Sequence, residues 1–250
     1  MENKIIYYKQ LDSTNTKLTE LAREGADHGT VVVADAQTAG KGRRGRTWES
    51  PAGENIYMSV LLRPTFDASL APMLTLCMAY SVAKVLEAKG FEDVKIKWPN
   101  DLVINGKKVC GILTEMQMNG SQIESVIVGV GINVNVQAFP EELISKATSL
   151  YLEGKRKINL EELIKEVVEE FFSVYGQFCE EKDLSFIQDE YNELLINKGK
   201  EVRVLEPENE YTAYAKGISR TGELLVVMED GTEKEIYAGE VSVRGIFGYI

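Results

Sequence analysis

The chain has 250 residues, 44% hydrophobic and 27% charged, with a formal net charge of −11. That length buries a full core and accommodates one large domain or one domain with a small appendage, and the composition excludes wholesale disorder. The acid excess argues against a general nucleic-acid or acidic-membrane binder, which presents a basic face.

Cys77, Cys110 and Cys179 are scattered without metal-ligand spacing and fit reduced core residues. The single histidine, His28, leaves little scope for a histidine metal site or a Ser-His-Asp triad. The N-terminal MENKIIYYKQ lacks an apolar h-region, and no apolar run is read as approaching the ~18 residues of a membrane span. A cytoplasmic chain is expected.

In chain order, KIIYYKQL (4–11) reads as a strand. The next segment, DSTNTKLTELAREG, reads as a helix with Ser13 as N-cap, Leu18, Leu21 and Ala22 at helical spacing, and Gly25 as its end. TVVVADA (30–36) is a buried strand that leads into TAGKGRRGRTW (38–48). NIYMSVLL (55–62) is a further strand, and LAPMLTLCMAYSVAKVLEAKG (70–90) a long, largely buried helix. VKIKW, LVI, KKVCGILTEM and SQIESVIVGVGINVN follow as strands, with Asn105-Gly106 and Asn119-Gly120 as hairpin turns. From about 140 to 197 the pattern is helical, most clearly in INLEELIKEVVEEFFSVYGQF. Beyond Gly199, five short strands separated by Gly, Pro and acidic turns suggest a small β-barrel. The expected fold class is α+β, a mixed or antiparallel sheet with helices over 1–198 followed by an all-β module over 199–250.

Positions 40–46 hold three glycines and four cations and nothing else. Gly40-x-Gly42-x-x-Gly45 matches the dinucleotide fingerprint, but Pro51, Gly53 and a strand follow where a helix is required. The P-loop reading fails likewise, with Arg46 in the lysine position and no helix. What remains is a backbone whose N–H groups wrap an anion and side chains that neutralise it. Trp48 closes the loop with a flat surface for a ring. The competing reading is a solvated surface loop.

A second constellation is KWPNDLVINGKKVCGIL. Alternation puts Lys95 and Lys97 on one face and Val94, Ile96 and Trp98 on the other. Pro99 ends the strand, and Asn100-Asp101 open a turn near Lys107 and Lys108. Lysines facing phosphate, with Asp101 facing Mg²⁺ or an amine, would suit a nucleotide; a hairpin with solvated lysines is the plainer alternative. Gly129 and Gly131 interrupt an apolar strand, which signals close approach by a ligand or backbone, or a bulge packed on the long helix.

Together, DSTN (12–15), Gln37, GKGRRGRTW (40–48), KWPNDL (97–102), GKKVCGIL (106–113), GVGINVN (129–135) and GEVSVRG (239–245) resemble the biotin protein ligases. The pieces occur in the family's order and run from the first helix to the last strand. The resemblance implies a catalytic domain like that of class II aminoacyl-tRNA synthetases and an SH3-like C-terminal domain. It implies ATP with Mg²⁺ and two steps: biotin becomes biotinyl-5′-AMP, then passes to a lysine of a biotin carboxyl carrier protein of acetyl-CoA carboxylase or a related carboxylase.

By the same resemblance, Ser13, Thr14, Asn15 and Gln37 hold the biotin head group, and the backbone of Gly111, Leu113, Gly129 and Gly131 lines its tail. Lys41, Gly42 and Arg43 fold over the adenylate, with Arg43 and Arg46 near phosphate and Lys108 on the carboxylate and α-phosphate. Lys97 and Asp101 serve the nucleotide, the metal or the acceptor lysine; the division of roles between Lys97 and Lys108 stays open. Asn133 reads the adenine with Trp48 packed against it, and Arg244 reaches the nucleotide from the C-terminal domain. The glycine loop then acts as a lid.

The family usually has Arg where this chain has Lys41, which implies a weaker grip there. DSTN begins at residue 12, leaving no room for a preceding helix-turn-helix, so no DNA partner and no membrane partner are expected. Members often dimerise, and the sequence leaves that state open here. A lipoate or octanoate ligase shares the lysine-acylating logic but calls for a less polar pocket. A non-catalytic binding module is the alternative from another class.

Overall fold

The structure is a computed structural model that describes residues 4–206, 209–239, 241–245 and 249–250. Its first sheet has seven strands: β1 (Ile5–Leu11), β2 (Val31–Gln37), β3 (Asn55–Leu62), β4 (Val94–Lys97), β5 (Asp101–Ile104), β6 (Lys107–Asn119) and β7 (Gln122–Asn133). Their spatial order is β1-β2-β3-β7-β6-β5-β4. Only β1 and β2 run parallel; the other neighbours are antiparallel, so the sheet is mixed, as expected. Both Asn-Gly turns fall where the sequence places them, with Asn105, Gly106 and Gly120 at positive φ.

The two faces of the central strands are chemically opposite. On β3 and β7, Ile56, Met58 and Val60 with Val128, Val130 and Ile132 join the main core, which also includes most of α2 (Met73–Ala88) and the buried stripe of α4 (Leu160–Glu181). On the other face, α1 (Thr14–Arg23) covers one end through a smaller core of Leu18, Ala22, Val32, Leu61 and Ile127. The rest of that face carries Asn55, Tyr57, Ser59, Gly129, Gly131 and Asn133, and there the site forms.

Residues 68–88 do reach the length and apolarity of a membrane span, contrary to the sequence reading. Most of that stretch is buried, because it is the central core helix of the sheet. Cys77 and Cys110 are buried free thiols as expected, whereas Cys179 is only partly covered. His28 accepts the backbone N–H of Arg63 and packs on Phe172 and Tyr175.

Short helices α3 (Leu150–Gly154) and α5 (Gln188–Leu194) flank α4. A second, antiparallel sheet of five strands then follows: β8 (Glu201–Leu205), β9 (Glu210–Ile218), β10 (Leu224–Val227), β11 (Glu233–Ile236) and β12 (Ser242–Gly245), in the order β11-β10-β9-β8-β12. It docks on the larger unit through Trp98, whose fully buried indole Nε1 donates to the Gly222 carbonyl at 3.0 Å. Gln188 Nε2 to the Ile218 carbonyl and the Ile218 N–H to Asn192 Oδ1, each 2.8 Å, add to that seam.

Trp98 therefore serves as a fastener between the two units. Trp98→Phe keeps most of the apolar contact but leaves the Gly222 carbonyl buried without a donor. We expect a loss of about 1–3 kcal/mol in urea unfolding with an unchanged m value.

Candidate functional site

The site is laid out by strand register. In antiparallel neighbours, directly opposed residues share a face. Tyr57 opposes Gly131, Gly131 opposes Gly111, Gly111 opposes Asp101, and Asp101 opposes Lys97. One row thus crosses five strands from a tyrosine, over two glycines, to a buried carboxylate and lysine. The adjacent row is Ser59–Gly129–Leu113, and on the other side Asn55 opposes Asn133.

The glycines are empty because something else fills their space. A Cβ on Gly129 would lie 2.1 Å from Asn15 Oδ1, and one on Gly131 2.6 Å from the Trp48 ring. At Gly111 a Cβ would come within 2.8 Å of the same ring and 3.1 Å of Lys108 Nζ. The glycine pair in β7 is therefore explained by close approach of side chains from α1 and the loop, not by packing on the long helix.

At the closed end of this groove lies a polar cluster. Ser13, Thr14 and Asn15 are buried at the start of α1. Ser13 occupies the N-cap position, but its side chain makes no capping bond. Gln37 Oε1 accepts from the Thr14 N–H at 2.8 Å, and Gln37 Nε2 donates to Ser50 Oγ at 2.9 Å. Asn15 Nδ2 donates to Glu115 Oε2 at 2.7 Å, and Ser59 Oγ lies 2.6 Å from Asn15 Oδ1 and 2.8 Å from Thr14 Oγ1. The sequence reading missed Ser50, Ser59 and Glu115. Ser59 had a legible signal, a small hydroxyl flanked by Met58 and Val60 in a largely apolar strand, whereas Ser50 and Glu115 sit among ordinary polar neighbours.

At the open end is a charged cluster. Lys108 reaches it through a bulge: Leu102 pairs with Cys110 but Val103 pairs with Lys108, leaving Val109 as the extra residue. Strict alternation from Cys110 and Ile112 would turn Lys108 to the core face; the bulge returns it to the face of Asp101. Lys108 Nζ then lies 2.6 Å from Asp101 Oδ1 and 5.0 Å from the Trp48 ring centre. Lys97 is buried, with its Nζ 4.0 Å from the centre of the Tyr249 ring, and the Tyr249 hydroxyl donates to Asp101 Oδ2.

Burial pulls the Lys97 ammonium down to about 8; the Asp101 carboxylate opposes that, while Lys108, Arg244 and Arg46 add to it. Burial disfavours the Asp101 charge too, but Lys108, Lys97 and the hydrogen bonds outweigh it and hold the carboxyl below its ordinary value. Lys97 is thus no solvated hairpin lysine.

As the expected Mg²⁺ ligand, Asp101 would supply a single carboxylate, with phosphate oxygens and water completing the shell. Both Asp101 oxygens face donors, and the charges nearest it are ammonium groups. Among the described residues no group of three His, Cys, Asp or Glu side chains gathers anywhere to hold a metal ion.

The glycine loop forms a narrow hairpin. Lys41 bridges Thr47, the Gly42 N–H donates to the Arg46 carbonyl at 2.7 Å, and the Trp48 N–H donates to the Gly40 carbonyl at 2.9 Å. A one-turn helix at Arg43–Gly45 makes the tip, with Arg44 and Gly45 at positive φ. Gly40 must lack a side chain, since a Cβ would meet the Trp48 carbonyl at 2.3 Å. Arg43 is already engaged: it donates to Asn100 Oδ1 at 2.9 Å and to the carbonyls of Ala238, Gly239 and Val241 beside β12. Lys41 points to Glu115 Oε1 at 3.9 Å, next to the polar cluster.

The structure thus brings the sequence-selected residues into two connected hollows. Ser13, Thr14, Asn15, Gln37, Lys41, Gly42, Arg43, Trp48, Lys108, Gly111, Leu113, Gly129 and Gly131 line the first. Arg46, Lys97, Asp101 and Arg244 line the second together with Tyr249. Asn133 lines a further hollow that adjoins the second, with Trp48, Arg46 and Asn55, its Nδ2 donating to the Thr148 carbonyl at 3.1 Å. The indole N–H of Trp48 is buried with no hydrogen-bond partner beside the groove.

A mixed sheet with a cation-rich hairpin, a groove floored by glycine and a cationic mouth is suited to neutralising charge that develops on a bound acid. Residues 7–133 match the profile of the Biotin/lipoate A/B protein ligase family, and the chain belongs to that family. Residues 199–244 match the biotin protein ligase C-terminal domain, which is SH3-like. The bifunctional ligase/repressor BirA of Bacillus subtilis is 38% identical over 247 residues, covering 97% of this chain and 75% of its own length. A biotin protein ligase from Aquifex aeolicus, solved with biotin and ATP, superposes with a TM-score of 0.85 at 33% identity, covering 98% of this chain and all of that one. The biotin--[acetyl-CoA-carboxylase] ligase of Mycobacterium tuberculosis is 40% identical over 147 residues, 56% of this chain and 52% of its own.

The geometry around Lys97 is open to direct measurement. NMR titration of the lysine side-chain resonances should show Lys97 losing its proton near pH 8, well before the exposed lysines. Asp101→Asn removes the charge that favours the ammonium, so the Lys97 titration should move lower still; an upward move would refute this electrostatic account.

Proposed function

We propose that this chain uses ATP to join biotin to one lysine of a carrier protein, by way of biotinyl-5′-AMP. The observation that carries the reading is the groove itself. Its floor is glycine, its closed end is a hydrogen-bonding cluster and its open end is a lysine–carboxylate pair.

The closed end suits a fused ureido ring, which needs donors for its carbonyl and acceptors for its N–H groups. Ser13, Thr14, Asn15 and Gln37 supply both, with Ser59 and Glu115 orienting Asn15. The valeryl chain lies over Gly111, Gly129 and Gly131 and beside Leu113. Its carboxylate then meets Lys108, which neutralises charge as the carboxylate attacks the α-phosphate and pyrophosphate leaves. Arg46, Lys97 and Arg244 supply positive charge to the nucleotide, and Asn133 and Trp48 hold its base. Gly42 and Arg43 close over the adenylate and exclude water.

In the second half-reaction an acceptor lysine enters beside Asp101. Relatives in Paracoccus denitrificans and M. tuberculosis are named for acetyl-CoA carboxylase, which supports a carboxylase carrier domain as the acceptor. The free thiols support a reducing, cytoplasmic setting, and the net charge of −11 supports ligation rather than DNA binding by these residues. We take residues 1–198 as the catalytic domain and 199–250 as the C-terminal domain.

The deciding experiment is isotopic exchange between pyrophosphate and ATP, comparing biotin, lipoate, octanoate and no acid. Exchange with biotin alone is expected; exchange with lipoate would overturn the pocket assignment, and exchange with none would refute the ligase reading. Replacing Arg43 by Gly frees the hairpin from both Asn100 and the C-terminal unit. Activated biotin should then escape and label an unrelated lysine-rich protein. Labelling no greater than with the parent enzyme would remove the lid role.

A further inference from the structure

Tyr249 and Ile250 lie beside the site. Tyr249 is the penultimate residue and lies beyond the matched C-terminal profile, which stops at 244. No step above uses it, yet it touches both groups of the charged row. Its hydroxyl donates to Asp101 Oδ2, and its ring covers Lys97 Nζ at 4.0 Å. Ile250 fixes this end in place. A Cβ on Gly245 would lie 1.9 Å from the Ile250 carboxyl-terminal carbon, and one on Gly106 3.7 Å from the Ile250 side chain. Gly245 in β12 thus leaves the room that Ile250 occupies, and the β5–β6 turn packs beside it.

The two oxygens of Asp101 are divided between partners. Oδ1 faces Lys108 at 2.6 Å, and Oδ2 accepts from Tyr249. When Lys108 turns to the α-phosphate, Oδ1 loses its partner while Oδ2 keeps its own. Burial and the neighbouring carboxylate push the Tyr249 phenol up, so it stays a donor. Lys97, Arg43, Arg46 and Arg244 also act on the pair.

Building on the ligase reading, we propose that Tyr249 is a positioning residue of the transfer half-reaction: it holds the Asp101 carboxylate in place, with Oδ1 turned to the incoming lysine. In that step the lysine nitrogen bonds to the biotinyl carbonyl carbon. The acyl C–O bond to phosphate breaks with its electron pair leaving on AMP, and the proton released from nitrogen passes to Asp101 Oδ1. The tyrosine holds the carboxylate and transfers nothing itself.

The test separates the two half-reactions in Tyr249→Phe, which keeps the ring over Lys97 and removes only the hydroxyl. Pyrophosphate exchange with biotin should stay within about twofold of the parent, since the phenol touches Asp101 and Lys97 but neither Lys108 nor the groove floor. Single-turnover transfer from preformed biotinyl-5′-AMP to a biotin carboxyl carrier domain should fall roughly tenfold, the scale on which misplacing a reacting group acts. The KM for the carrier should be unchanged, while the melting temperature falls by a few degrees, as loss of one buried hydrogen bond to a carboxylate requires. In an Asp101→Asn background the same substitution should change transfer by less than about twofold, because the pair acts as a unit.

Transfer at the parent rate would overturn the proposal. So would an equal loss in exchange and transfer, or an undiminished loss in the Asp101→Asn background, since each marks a merely structural role. Absence of biotin-dependent exchange in the parent enzyme would refute the ligase reading instead.

Discussion

Cross-strand register is the constraint on which the site depends. The row from Tyr57 through Gly131 and Gly111 to Asp101 and Lys97 exists only because β3, β7, β6, β5 and β4 pair without a slip at those positions. A shift of one residue in any pair would send the glycines to the core face and apolar side chains into the groove. Register is held by the opposite face, where Ile56, Met58, Val60, Val128, Val130, Ile132, Cys110 and Ile112 are buried in the main core. The packed face thereby fixes the chemistry of the open one. The one irregularity that matters, at Val109, turns Lys108 from the first face to the second.

Coverage of the open face is equally uneven, and that unevenness makes a cavity. Helix α1 seals the face over Val32, Leu61 and Ile127 through Leu18 and Ala22. Its first turn then carries Thr14 and Asn15 over the edge of that small core to the glycine rows. The loop hairpin covers the rows from the other side through Trp48. The helix meets Gly129 through Asn15 and the loop meets Gly131 and Gly111 through Trp48, so each glycine is a contact that a side chain would abolish.

Much of this was legible in the sequence because the relevant signals are local. Alternation, two Asn-Gly turns and the density of glycines and cations fix the strands, the hairpins and the loop. The motif pieces place Asn15, Gln37, Lys97, Asp101 and Lys108 in one site. What the sequence hid depends on long-range register. Ser59 joins Asn15 only because β3 pairs with β7 at Gly129. Lys108 breaks its own alternation, which no period-2 reading predicts. Arg43 spends its guanidinium on backbone carbonyls nearly two hundred residues away, and carbonyls carry no sequence signature. The apolar run over 68–88 misleads in the other direction, because a helix buried on nearly all sides has the composition of a membrane span.

The spacing of the rows has a consequence for which acids the groove accepts. Successive same-face rows on a strand are two residues apart, about 6.8 Å. The polar cluster sits over the row of Ser59, the bare floor over the row of Gly131, and the rim over the row of Asn133. The pleat therefore works as a ruler with fixed graduations. A carboxylic acid one carbon too short or too long cannot be met by sliding the sheet, whose register is locked from behind. On the ligase reading proposed above, it would have to buckle its own chain to reach both ends.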